Sequence, residues 1–315
     1  MSYTADKESL KGVGFTTPTP FSDDRRDVQH DELAENVQFL IDSGGKLFIP
    51  CGNTGEYDAL THSERHEVVR TVVETVGDEG YVVGGVSGSL KTVLDLVAEY
   101  ERAGADAVMV MEPSHTYVHY EGLREYYEAV ADATDLGVVL YKRTHDVPDD
   151  LVLDIVELEN VVGVKYAVND IKSFSHAVDE SVADVVWING IAERFSVSFT
   201  LEGAKGFTTG IGNFVPEAVM ELMEAIEREE WELAKSIRNL LRPYEDLREE
   251  AGTDNERIAA NNVPAVKYGM ELADLNGGPV RPPIIELSDR DKQRAREFYD
   301  RITSRTGSPS NESAS

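Results

Sequence analysis

Short apolar runs alternate with amphipathic segments of helical period from Val13 to Glu227, and this rhythm limits the possible folds more than any single motif. The runs Val13 to Thr17, Leu47 to Pro50, Tyr81 to Val86, Ala107 to Met111, Gly137 to Tyr141, Val161 to Tyr166, Asp184 to Ile188 and Gly206 to Thr209 read as strands. Helices follow at Asp31 to Ser43, at Leu90 to Arg102, at Glu121 to Ala133 and at Pro216 to Glu227. Another helix opens with a capping box at Thr61 to Glu64 and runs to Val76, where Gly77 stops it. Pro148-Asp149-Asp150 and Asn169-Asp170 each open one more, and a further helix is expected between the seventh and eighth strands.

Eight strand-then-helix units in about 230 residues predict an α/β fold, a (β/α)8 TIM barrel, over residues 1–230. A C-terminal helical extension is expected over 231–303, and a Ser-rich disordered tail over 304–315. In such a barrel the site lies at the C-terminal ends of the strands. Those ends are Thr17, the Gly52-Asn53-Thr54-Gly55-Glu56 turn, Gly85, Pro113-Ser114-His115, Tyr141-Lys142-Arg143, Lys165, Asn189-Gly190 and Thr208-Thr209.

Lys165 stands out among them. It sits between Val164 and Tyr166 in a strand of buried character, and desolvation of an ammonium can lower its pKa by roughly 3–5 units. A lysine held neutral is a nucleophile for carbonyl carbons. On its own strand it could equally snorkel to water. Tyr141, however, ends the adjacent strand, so the two side chains are expected to share a pocket.

Composition removes several classes of function. The net charge is −29, from 59 acidic and 30 basic residues, which repels nucleic acid and anionic membranes. Acids spread evenly along the chain resemble the surfaces of proteins from high-salt habitats. No apolar run is long enough to span a bilayer, and the N-terminus lacks a signal-peptide core. The single cysteine, Cys51, suits a reducing cytoplasm, and with no positioned base it reads as a buried spectator. His62 and His66 lie one helical turn apart without a third ligand in pattern, so they read as a solvated face and no metal site is expected. The Gly-rich Gly84-Gly85-Val86-Ser87-Gly88 lacks the dinucleotide fingerprint.

Three motifs in order carry a family resemblance: Gly52-Asn53-Thr54-Gly55-Glu56, Tyr141, and Gly163-Val164-Lys165. Together they resemble the dihydrodipicolinate synthase / N-acetylneuraminate lyase superfamily of Schiff-base aldolases, over about Gly12 to Ile302. Tyr141-Lys142-Arg143, Gly212 to Glu217 and Gly278 to Pro283 look most like 5-dehydro-4-deoxyglucarate dehydratase. Asn53, His115 and Asp146 depart from the synthases proper, which usually carry threonine, tyrosine and arginine there.

The resemblance implies an imine between Lys165 and a 2-keto acid, proton relay by Tyr141, and no metal or organic cofactor. It implies that Gly52, Asn53 and Thr54 hold the carboxylate beside the keto carbon, and that Arg143 clamps a second carboxylate or hydroxyls. Thr208, Asn213 and His115 are the remaining substrate-binding candidates, with plain packing the alternative; Glu56 reads as structural. A homotetramer built from dimers follows from the same likeness. A pyruvate-dependent aldolase or synthase is the alternative within the superfamily, and a catalytically silent sugar-acid-binding barrel the alternative outside it.

Overall fold

The computed structural model describes residues 3–257 and 259–306. Eight parallel strands close into a barrel: β1 (Gly12–Phe15), β2 (Leu47–Phe48), β3 (Tyr81–Val86), β4 (Ala107–Met111), β5 (Gly137–Lys142), β6 (Val161–Tyr166), β7 (Val186–Asn189) and β8 (Gly206–Thr209). Each strand pairs with the next, and β1 pairs with β8 from Gly12↔Gly206 to Phe15↔Thr209. Strands β3 to β6 are buried along their whole length, which is why they read as continuous apolar runs and not as alternating ones.

Twelve helices accompany them among the described residues. They are α1 (Thr4–Ser9), α2 (His30–Asp42), α3 (His62–Val76), α4 (Leu90–Ala103), α5 (Tyr120–Ala131), α6 (Asp149–Ile155), α7 (Ile171–Glu180), α8 (Ser196–Leu201), α9 (Pro216–Glu227), α10 (Trp231–Glu249), α11 (Asn262–Leu272) and α12 (Asp289–Thr306). The capping box of α3 forms as expected, with the Thr61 hydroxyl accepting from the Glu64 N–H and the Glu64 carboxylate accepting from the Thr61 N–H. Gly104 ends α4 in the left-handed conformation, φ +90°.

Several boundaries differ from the sequence reading, among them the ends of β1 and β2, which stop at Phe15 and Phe48. Helix α1 went unpredicted because it buries none of its own residues and so has no apolar period to read. Strand β7 begins at Val186, two residues beyond Asp184, whose exposed carboxylate pairs with Lys7 of α1 at 3.1 Å. Helix α12 continues to Thr306, so Ser304 to Thr306 are helical and not part of a tail; the remainder of the expected tail lies outside the described residues.

The C-terminal helices share the barrel's apolar core. Ile237, Leu241, Tyr244 and Leu247 of α10 and Val266 of α11 belong to the same continuous cluster as the strand side chains. One buried ion pair fastens this layer to the barrel mouth: Lys267 Nζ of α11 lies 2.6 Å from Glu56 Oε1, both side chains essentially without exposure. Burial pushes the Glu56 carboxyl above its ordinary range and Lys267 below its own, and each partner partly restores the other's charge. Lys267→Met leaves that carboxylate buried alone and is expected to cost about 3–5 kcal/mol of unfolding free energy, read by urea denaturation. Adding Glu56→Gln should recover part of the loss; a midpoint unmoved by Lys267→Met would show that the pair does not hold the layers together.

Candidate active site

The chamber at the C-terminal end of the barrel has a volume of about 720 Å³, within the usual range for a small-molecule site. Lys165 and Tyr141 both line it. A register shift between β5 and β6 at Val138/Val139 sets Tyr141 directly opposite Lys165 in the ladder. The Lys165 ammonium position lies 4.1 Å from the centroid of the Tyr141 ring. Gly190, at the end of β7, leaves room for the lysine stem: a Cβ there would come within 3.0 Å of the Lys165 Cγ.

Lys165 is 4% exposed, and among the described residues no carboxylate lies within ion-pair distance of it. Burial, with the charges of Arg248 and Arg143, pulls its pKa down to about 7. Tyr141 is also buried, and burial pushes its phenol up to about 12. Near neutral pH the pair therefore offers a substantial fraction of free amine beside a protonated phenol.

Strand alternation sorts the Tyr-Lys-Arg run. Tyr141 and Arg143 face the chamber, whereas Lys142 points away, pairing with Asp149 at 2.8 Å. Asn53 bridges the first two: its Nδ2 donates to the Tyr141 hydroxyl at 3.2 Å, and its Oδ1 accepts from Arg143 Nη1 at 3.4 Å. Arg143 is half-exposed, and its only ion-pair partner among the described residues is Glu112, at 3.9 Å.

The turn from Cys51 to Glu56 carries two non-glycine residues in the left-handed region, Cys51 (φ +57°) and Glu56 (φ +55°), a local strain the surrounding contacts must hold. Thr19 donates to the Gly55 carbonyl at 2.8 Å, and the Glu56–Lys267 pair fixes the far end. The Thr16 hydroxyl donates to Thr54 Oγ1 at 3.1 Å, orienting it on the chamber wall. Among the described residues the backbone N–H groups of Asn53 and Thr54 have no acceptor, so two donors stand beside that hydroxyl.

Three predicted residues sit elsewhere. Asn213 is buried behind the wall, donating to the carbonyls of Thr16 at 3.0 Å and Gly210 at 2.9 Å, and so ties β1 to the end of β8. Gly52 lies within the turn but not on the chamber wall; its carbonyl accepts from the Tyr57 N–H. His115 belongs to a neighbouring cavity of about 590 Å³ between the loops after β4 and β5, where its Nδ1 accepts from the Tyr117 N–H. Thr208 lines the chamber as expected in sequence. Cys51 is fully buried, and burial pushes its thiol up to about 12, far from a reactive thiolate. No group of three or more His, Cys, Asp or Glu side chains among the described residues is arranged to hold a metal ion.

Sequence reasoning missed the contribution of the C-terminal helices. Arg248 of α10, Asn262 of α11 and Arg281 all line the chamber, from positions where helical or loop sequence gives no sign of a site. The strand-end rule could not find them, because their elements are not part of the barrel.

The lowered pKa fixes a sign for two measurements. Reductive methylation of Lys165 by formaldehyde, followed by peptide mass, should accelerate as pH rises through about 7; acceleration only near the ordinary lysine value would overturn the burial argument. Between these two values the unfolded chain binds the extra proton, so stability rises with pH. Lys165→Met is accordingly expected to raise the melting temperature more at pH 6 than at pH 10.

Among the described residues no helix is long and apolar enough to cross a membrane. Residues 9–301 match the dihydrodipicolinate synthetase family. The chain is 30% identical over 293 residues to a 4-hydroxy-tetrahydrodipicolinate synthase of Archaeoglobus fulgidus, covering 91% of this chain and 96% of the relative. It is also 30% identical over 277 residues to a probable 5-dehydro-4-deoxyglucarate dehydratase of Saccharopolyspora erythraea, covering 86% and 87%. The crystal structure of dihydrodipicolinate synthase from Oceanobacillus iheyensis superposes with a TM-score of 0.91 at 31% identity, over 96% of this chain and 100% of that one. The chain therefore belongs to the dihydrodipicolinate synthetase family and is an enzyme of its lyase and aldolase superfamily.

Proposed function

We propose that the enzyme is a Schiff-base lyase for a 2-keto-3-deoxy sugar acid, and specifically that it dehydrates and decarboxylates 5-dehydro-4-deoxyglucarate to 2,5-dioxopentanoate. The observation that carries the imine chemistry is the buried Lys165 amine, without a counter-ion among the described residues, against the Tyr141 ring. The sugar-acid reading is supported by Arg143 beside that pair, by a chamber much larger than a three-carbon acid needs, and by relatives named as dehydratases.

The free amine of Lys165 attacks the keto carbon and water leaves, forming the imine. The carboxylate next to that carbon takes the N–H groups of Asn53 and Thr54 and the Thr54 hydroxyl. The Tyr141 phenol protonates the hydroxyl lost on imine formation, and its phenolate takes a proton from the adjacent CH2. The re-formed phenol protonates the hydroxyl on the next carbon, which departs as water. The distal carboxylate leaves as carbon dioxide, its bonding electrons passing into the conjugated imine. Reprotonation and hydrolysis return the amine, so the net products are one water, one carbon dioxide and 2,5-dioxopentanoate. Every group used is a side chain or backbone donor of this chain, and the scheme calls on no metal or organic cofactor.

A second reading keeps the imine but adds it, as a pyruvate enamine, to an aldehyde. Relatives and solved structures named dihydrodipicolinate synthase favour it. Against it stand His115 and the exposed Asp146, where the sequence departs from the synthases, both in the neighbouring cavity. A homotetramer and a saline cytoplasm belong to the same proposal; exposed Tyr117 and Val118 support an assembly, and the charge of −29 supports high salt.

Borohydride trapping during turnover of 5-dehydro-4-deoxyglucarate in high salt, with adduct mass mapped by peptide, tests the scheme. A dehydrated or decarboxylated keto-acid adduct on Lys165 is expected, lost in Lys165→Ala. Tyr141→Phe should lower kcat by about 10²–10⁴ while leaving trapping with pyruvate measurable. A three-carbon adduct from that substrate would move the assignment to an aldolase, and absence of any adduct would overturn the imine.

A further inference from the structure

Resting on that reading of the site, Arg248 raises the question of what an arginine so deeply placed does in the chamber wall. Arg281 also lines the chamber, but its guanidinium is consumed by the carbonyls of Arg25, Arg26 and Ala59 and by the Glu64 carboxylate. Arg143 is half-exposed and only loosely held. Arg248, in contrast, is 6% exposed and fixed from behind. Its Nη1 donates to Glu245 Oε1 at 2.7 Å, and its Nη2 donates to Asn262 Oδ1 at 3.0 Å.

The end of β8 is shaped to admit this guanidinium. A Cβ at Gly210 would come within 2.5 Å of Arg248 Nη2 and 2.7 Å of its Cζ, so the fork lies flat over a backbone that no other residue leaves bare. Each terminal nitrogen retains an N–H beyond the one it uses, since a guanidinium carries five donors. The neighbouring Glu193 is wholly buried, and neither of its oxygens has a hydrogen-bond partner of good geometry among the described residues. Burial and repulsion from Glu245 hold its carboxyl well above the usual range, more than the nearby Thr209 hydroxyl and Arg248 charge offset. Among the described residues the guanidinium donates to one carboxylate only, that of Glu245, and keeps N–H groups for a further anion.

The three anchors surround the chamber and do not share a wall: the Asn53–Thr54 turn follows β2, Lys165 ends β6, and Arg248 overlies the end of β8. A keto acid held at the first two by its carboxylate and keto carbon has the rest of its chain free to reach the third. We infer that Arg248 is the specificity-determining residue of the site, receiving the distal carboxylate of a dicarboxylic 2-keto acid. Buried, held by two hydrogen bonds and fork-shaped, it suits that role better than the half-exposed Arg143. The distal carboxylate stays intact through imine formation and dehydration, so on those steps the contact binds ground state and transition state alike and acts on KM more than on kcat.

Competition on the wild-type enzyme tests this directly. Pyruvate and borohydride label Lys165, and 2-oxoglutarate is expected to protect against that labelling at a concentration at least tenfold lower than 2-oxobutyrate requires. Equal protection by the two acids would overturn the inference while leaving the imine standing. Absence of any pyruvate adduct on the wild type would overturn both. Arg248→Lys keeps the charge and loses the fork. It should raise KM for 5-dehydro-4-deoxyglucarate about tenfold or more, with a clearly smaller rise for the monocarboxylic 2-keto-3-deoxygluconate. Equal changes for both substrates, in a variant whose melting curve matches the wild type, would assign Arg248 a structural role instead.

Discussion

A buried amine at the barrel mouth, without a compensating carboxylate among the described residues, is the constraint on which the rest of the site depends. Lys165 is almost wholly buried, and the charges acting on it are those of Arg248 and Arg143, so burial and repulsion both push the proton off. A carboxylate at the same distance would have restored the ammonium and removed the nucleophile. The fold meets this condition by pairing acids elsewhere: buried Glu56 against Lys267, buried Glu245 against Arg248, and part-buried Glu64 against Arg281. Charges that hold the structure together are paired, and the amine proposed to react is left alone.

The barrel and the helices after it divide the work. The strand ends supply the groups nearest the chemistry, in a geometry set by backbone register, and the shift at Val138/Val139 is what aligns Tyr141 with Lys165. The later helices supply the frame. Lys267 reaches back to the turn, Asn262 and Glu245 hold the Arg248 fork, and Arg281 locks its own loop to the segments at Arg25 and Ala59. Buried ion pairs of this kind contribute little net stability, yet breaking one leaves a stranded charge, so each fixes a single arrangement of the layers. The strained turn at Cys51 and Glu56 persists for the same reason: its contacts over-determine it.

Where the reading of residues succeeded, the signal was local. The Thr61–Glu64 capping box, the apolar runs of β3 and β6, and the Pro at the start of α9 each depend on neighbours a few positions away. Where it fell short, the deciding contact was remote or the element had no period. Helix α1 shows no apolar face. Asn213 is a substrate-contact candidate in sequence, but its Nδ2 donates to the carbonyls of Gly210 and of Thr16, nearly two hundred residues away. His115 follows β4 as an end-of-strand residue should, yet the loop carries it into the adjoining cavity.

The sequence by itself determined the architecture, the lysine and its tyrosine, because strand period, capping chemistry and burial of a β-branched run are properties of short stretches of chain. It also determined the net charge of −29, which repels polyanions. Only the tertiary structure decided which side chains form the chamber wall, that Arg248 and Asn262 enter it from helices outside the barrel, and that Asn213, Gly52 and His115 do not. The physical reason is that desolvation and charge pairing are sums over everything nearby in space. A residue's neighbours across the barrel mouth, such as Lys267 for Glu56 and Gly210 for Arg248, are set by closure of the whole ring and the packing of the helices upon it.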